Sequence, residues 1–89
     1  MDSRLLSSVG LRTAGLMETI RNAQVNGASN VELDRIQLIT TLAIGHRNPL
    51  LELRNNPLTS EEQIVQIDAI LKSITIAEAF CKNNIVKAA

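Results

Sequence analysis

Aromatic side chains are nearly missing from this chain. Among 89 residues Phe80 is the single Phe, and there is no Trp or Tyr. The core must therefore come from Leu, Ile, Val, Ala and Met, which fill space by interdigitating many small side chains. One cysteine, Cys81, excludes an intramolecular disulfide and points to a reducing, cytoplasmic setting. One histidine, His46, and the absence of CxxC, HxxxH or HExxH spacing argue against a metal centre. The four glycines form neither a phosphate loop nor a dinucleotide fingerprint, so no cofactor is expected. No apolar run approaches the roughly 18 residues of a spanning helix. The apolar stretch near the N-terminus is broken by Ser7, Ser8 and Gly10, which makes a poor signal peptide.

Charge of one sign is missing as well. Nine Lys and Arg balance nine Asp and Glu. All six arginines lie at or before Arg54 and all three lysines at or after Lys72, yet neither half carries much net charge. With no basic block to neutralise phosphates, nucleic acid is a disfavoured partner.

What is present is helical patterning, and it predicts a single all-α domain over residues 1–89. Leu6, Val9, Thr13, Leu16, Ile20 and Ala23 recur at three- and four-residue steps, giving a first helix over 3–25 with one apolar face. Gly10 and Gly15 each cost about 1 kcal/mol relative to Ala inside a helix, so about the first 10 residues are expected to fray. The small Gly10 and Ala14 would also admit a close partner backbone, although that pattern is best established inside membranes. Asn26-Gly27 stops this helix, and Ser29-Asn30-Val31-Glu32 starts the next with a capping box. So short a connection folds helix two, 30–44, back on helix one. Its apolar residues cover more than one stripe, which predicts burial on more than one side. Gly45 terminates it. Asn48-Pro49 then suggests a short helix or turn over 49–54, with Asn48 as cap and Pro49 in the first helical position.

The third main helix, 60–86, is the longest stretch without Gly or Pro. A capping box of Thr59 with Glu62 marks its start. Ile64, Ile67, Leu71, Ile74, Cys81 and Ile85 then occupy heptad seam positions, interrupted by Glu78. Asp68–Lys72 and Glu78–Lys82 are i,i+4 pairs in the favourable order, expected on a solvated strip. Glu78 is a candidate partner for Arg12, Arg21 or Arg35 of a packed helix, or a register device in an oligomer. The fold predicted is a small bundle of three main helices.

No catalytic constellation accompanies this pattern, which argues against an enzyme. A nucleophilic pair of Cys81 with His46 would need a contact that nothing in the sequence requires, and Cys81 reads as a buried small hydrophobe. The excess of aliphatic helix surface in so small a chain points to a protein–protein interaction module. Its partner would be a second copy or another protein, met through the seam Ile64, Ile67, Leu71, Ile74, Glu78, Cys81 and Ile85. A structural subunit, an adaptor or chaperone, and an inhibitor all fit that description. The alternative is a small helical DNA-binding regulator. Residues 11–44 match a helix-turn-helix loosely, but the second helix opens Val31-Glu32-Leu33-Asp34, acidic and apolar where a groove needs neither.

Overall fold

The computed structural model describes residues 3–84 and contains four helices: α1 (Ser3–Asn26), α2 (Asn30–Ile44), α3 (Arg47–Arg54) and α4 (Glu61–Asn84). Among the described residues there is no strand. The three long helices and the short one lie where the sequence pattern puts them. Ile85 and the predicted last turn of the final helix lie outside the described residues.

The α1–α2 connection follows the expected chemistry. Gly27 adopts φ 77°, the left-handed conformation that Gly alone enters without Cβ strain, and its N–H donates to the Ala23 carbonyl. Ser29 and Glu32 then form both halves of the capping box around the α2 N-terminus.

Two caps differ from expectation. At α4 the box is one residue later: the Ser60 hydroxyl accepts from the Gln63 N–H, and the Gln63 side chain accepts from the Ser60 N–H. Thr59 instead donates its hydroxyl to the Leu53 carbonyl and ties the 55–60 loop to the end of α3. At α3 the helix begins at Arg47, so Asn48 is not its cap and Pro49 stands third in the helix. Any first-turn position tolerates Pro, because those N–H groups lack intrahelical partners. Gly45 does end α2, but in right-handed conformation, so the chain bends into α3 without reversing.

Two core clusters fix the topology. Leu6 and Val9 of α1 meet Ala43 of α2, Leu50 of α3 and Ile67, Ile70 and Ile74 of α4. Leu16 and Ile20 meet Ile36 of α2 and Ala77, Phe80 and Cys81 of α4. Early α1 thus packs on early α4 and late α1 on late α4, so these two helices run parallel. Late α2 meets early α1, and early α2 meets late α1, so α2 runs against both. α3 continues the α2 track, because Arg47 reaches Glu78 while Arg54 reaches back to Asp68. The result is an up-down-up bundle whose middle track, 30–54, is bent once at Gly45-His46.

α4 packs against all three other helices. The molecule measures 43 × 22 × 16 Å with a radius of gyration of 13.9 Å. A compact globule of this length would have about 12 Å, so the bundle is elongated along its helices. Each fully buried aliphatic side chain, Leu6, Ile36, Leu50, Ile67 and Ile74 among them, contributes about 1.5–3 kcal/mol through burial. α1 buries the face its spacing predicts. α2 does not: Ile36, Thr40 and Ala43 form one buried stripe, while Val31, Leu38 and Leu42 face outward. The helix enclosed by several neighbours is α4.

Candidate functional site: the seams of α4

The heptad seam of α4 is distributed along the inside of the bundle. Ile67 and Ile74 are 0% exposed and Cys81 is 7% exposed. Ile64 and Leu71 are half-buried, Glu78 is exposed, and Ile85 lies outside the described residues. These side chains meet the chain's own α1, α2 and α3. Their heptad spacing is the signal of a packed helix, and the chain itself supplies the packing. Ile67 and Ile74 are closed to another molecule unless the bundle opens, whereas Ile64, Leu71 and Glu78 keep part of their surface exposed.

On one side, the seam between α4 and α3 is closed. Leu50 is fully buried against α4, with Leu53 and Ile44 half-buried around it. Two ion pairs flank the closure. Arg47 Nη2 lies 3.2 Å from Glu78 Oε1. Arg54 grips Asp68 through both oxygens, Nε to Oδ1 at 2.6 Å and Nη2 to Oδ2 at 3.3 Å. Asp68 and Glu78 therefore pair across helices with α3, not along α4 with Lys72 and Lys82. Glu78 takes Arg47 and not Arg12, Arg21 or Arg35, because it faces the α2–α3 side of α4. The guanidinium fork explains the choice at Asp68, since bidentate pairing to a carboxylate outcompetes a single flexible ammonium. The hydrogen bond from Arg54 holds the Asp68 carboxyl below the usual carboxylate range, and the same pair raises Arg54.

Cys81 lies deeper in this side, where its thiol donates to the buried Thr40 hydroxyl at 3.5 Å. A small hollow of about 180 Å³ opens to the surface there between α2 and α4, lined by Gln37, Thr40, Ile44, Glu78 and Cys81 among others. His46 is not among its lining residues; it occupies the position before α3, where its carbonyl accepts from Leu50 N–H. Among the described residues no group of His, Cys, Asp or Glu side chains is placed to hold a metal ion.

The other side is open. Between α1 and α4 runs a groove of about 490 Å³ lined by Ser7, Gly10, Ala14, Ala69, Ile70 and Ser73, among others. Leu11 stands on its lip, 77% exposed. Farther along the same two helices a second hollow of about 310 Å³ continues past Met17, Ile20 and Ile76, sharing Ser73. The opening has a local cause. Where α1 meets α4, Gly10 and Ala14 stand opposite Ala69 and Ser73, so no large side chain fills the angle between the helices. Gly10 sits within ordinary contact of α4, with a Cβ there reaching 3.6 Å from Gln66 and Ile70. Val65 and Ile76 on α4 are exposed large apolar residues. Of these, the small residues Gly10 and Ala14 were legible as admitting a close neighbour. The contribution of α4 was not, because Ala69 and Ser73 lie off its heptad seam.

No protein family, curated protein or solved structure matches this chain. Among the described residues no helix is long and apolar enough to cross a membrane.

Proposed function

We propose that the protein is a small helical protein–protein interaction module that self-associates through the exposed face of α1 and the groove it borders with α4. The observation that carries this reading is Leu11, a large aliphatic side chain held in water beside a hollow whose walls include the small residues Ser7, Gly10, Ala14, Ala69 and Ser73. An isolated exposed Leu needs no explanation, but one bordering a groove between two helices fits the helix-in-groove mode of recognition. The size of the chain supports the same reading, because small domains bury little of their unfolded surface alone.

The test is molar mass in solution by light scattering over a wide concentration range, for the wild type and for Leu11→Arg. The wild type should rise from the 9.7 kDa of one chain towards a multiple of it. Leu11→Arg should stay at one chain while keeping its helical circular dichroism, since the side chain contributes little to the core. A wild type that remains at one chain at the highest concentration contradicts self-association. Retention on duplex DNA at about 50 mM salt, where phosphate contacts are strongest, would instead favour the DNA-binding alternative.

A further inference from the structure

We propose that the second copy docks through its own α1, packed antiparallel along the outward face of α1 about a two-fold axis that passes beside Leu11, at the lip of the α1/α4 groove. This rests on the self-association reading above and adds the partner element, its direction and its pairing.

The charge pattern of α1 carries the direction. Arg4 and Glu18 lie seven residues on either side of Leu11, and a seven-residue step returns to nearly the same face of a helix. All three side chains are exposed. An antiparallel copy centred on Leu11 places Arg4 against Glu18 of the partner subunit, and Glu18 against Arg4 of the partner subunit. A parallel copy in register would set Arg4 against its own equivalent and Glu18 against its own, which repels twice. An isologous contact needs self-complementarity of this kind, and antiparallel packing also opposes the helix dipoles.

The surroundings of Leu11 carry the fit. Its neighbours one turn away on the helix are Ser7, Ser8, Ala14 and Gly15, all exposed and all small. Leu11 is thus a knob standing in a ring of low residues, and the same ring is the hole for the knob of the other copy. Gly15 gives an independent reason to look outward. A Cβ built there would meet nothing within 4 Å, so the chain's own packing does not require glycine at this position. Glycine in a helix interior is nonetheless among the least favourable choices. A close second backbone explains it.

The area sets the strength. Centred on Leu11, the two α1 helices overlap over residues 3–19, about 25 Å, and the face they present is at most about 20 Å wide. That is about 500 Å² per copy, well below the roughly 800 Å² per partner of a standard interface. The expected dimer is therefore a weak, reversible one.

A charge-swap cycle tests the pairing. Within one chain Arg4 and Glu18 are fourteen residues apart, about 21 Å along the helix, which is beyond the reach of a direct pair and of unscreened coupling. Sedimentation velocity over a concentration series would compare the wild type, R4E, E18R and R4E/E18R, with circular dichroism to verify folding. Each single reversal creates two repulsive contacts and should weaken the dimer at least about tenfold. The double swap restores both attractions and should return to within about threefold of the wild type. A dimer indifferent to the single reversals, or a double variant no better than the singles, overturns this arrangement while leaving self-association standing. A wild type that is monomeric throughout overturns both.

Discussion

The two sides of α4 are built to different standards. Towards α2 and α3 the seam holds Leu50 at full burial, half-buried Ile44 and Leu53, and the ion pairs Arg47–Glu78 and Arg54–Asp68. Towards α1 the inner edge is just as buried, through Leu6, Val9, Leu16 and Ile20, but the outer edge is left to Gly10, Ala14, Ala69 and Ser73. The first seam is finished by the chain's own side chains. The second leaves a trough with a lone Leu beside it. Large residues at the outer edge of a helix pair close a domain against solvent, whereas small ones leave room for a third helix. In the proposed reading, the residues that hold the chain together are separate from those that would meet a second copy.

Placing a charge at the shared floor of both seams should have the largest effect. Ile74→Lys buries an unpaired ammonium at a site with no exposure, which costs several kcal/mol, enough to unfold a domain of this size. Circular dichroism should show loss of helix, whatever the concentration. Next is the closed seam alone: Leu50→Ala should cost about 2–5 kcal/mol through lost burial and a residual cavity. Urea unfolding would read it, and α3, too short to persist by itself, should be the first helix released from exchange protection.

The open seam should answer with the opposite sign. Gly15→Ala meets no steric obstacle in the monomer and should raise its stability by up to about 1 kcal/mol. The same methyl narrows the approach of a second helix, so association should fall as the melting temperature rises. A substitution that merely removed flexibility would not separate the two. The smallest effect belongs to the Arg54–Asp68 pair, which is exposed. Because Asp68 titrates below its unfolded value, the pair contributes stability above about pH 4 and loses it as the carboxylate protonates at lower pH. Comparing acid unfolding of the wild type with Asp68→Asn at low and high salt should show a small difference that salt removes.

Local signals were legible wherever neighbouring residues settle the structure. Asn26-Gly27 and the Ser29–Glu32 box set the α1–α2 corner, and three- and four-residue spacing picked out the buried face of α1, leaving Leu11 off it. The start of α4 was one residue out because Thr59-Ser60-Glu61-Glu62-Gln63 contains two overlapping boxes, Thr59 with Glu62 and Ser60 with Gln63. The tie from Thr59 to Leu53 decides between them, and it depends on how the 55–60 loop closes. The partner of Glu78 was not legible at all, since Arg47 lies 31 residues away and meets it only once the middle track bends at Gly45. The heptad spacing on α4 marks a helix that packs, but spacing does not say whether the packing comes from the same chain. The groove needs Gly10 and Ala14 to face Ala69 and Ser73, a pairing that only parallel α1 and α4 produce.

The claim that the open seam receives a second copy is tested most directly by cross-linking at its centre. Leu11→Cys places a thiol beside the proposed two-fold axis, where two copies would meet; Leu58→Cys places one in the exposed 55–60 loop, at 92% exposure, as a measure of random collision. Under mild oxidation, the account predicts that Leu11→Cys forms a disulfide-linked dimer markedly faster than Leu58→Cys, with the fast phase abolished when R4E is added. Equal rates at the two positions would contradict it.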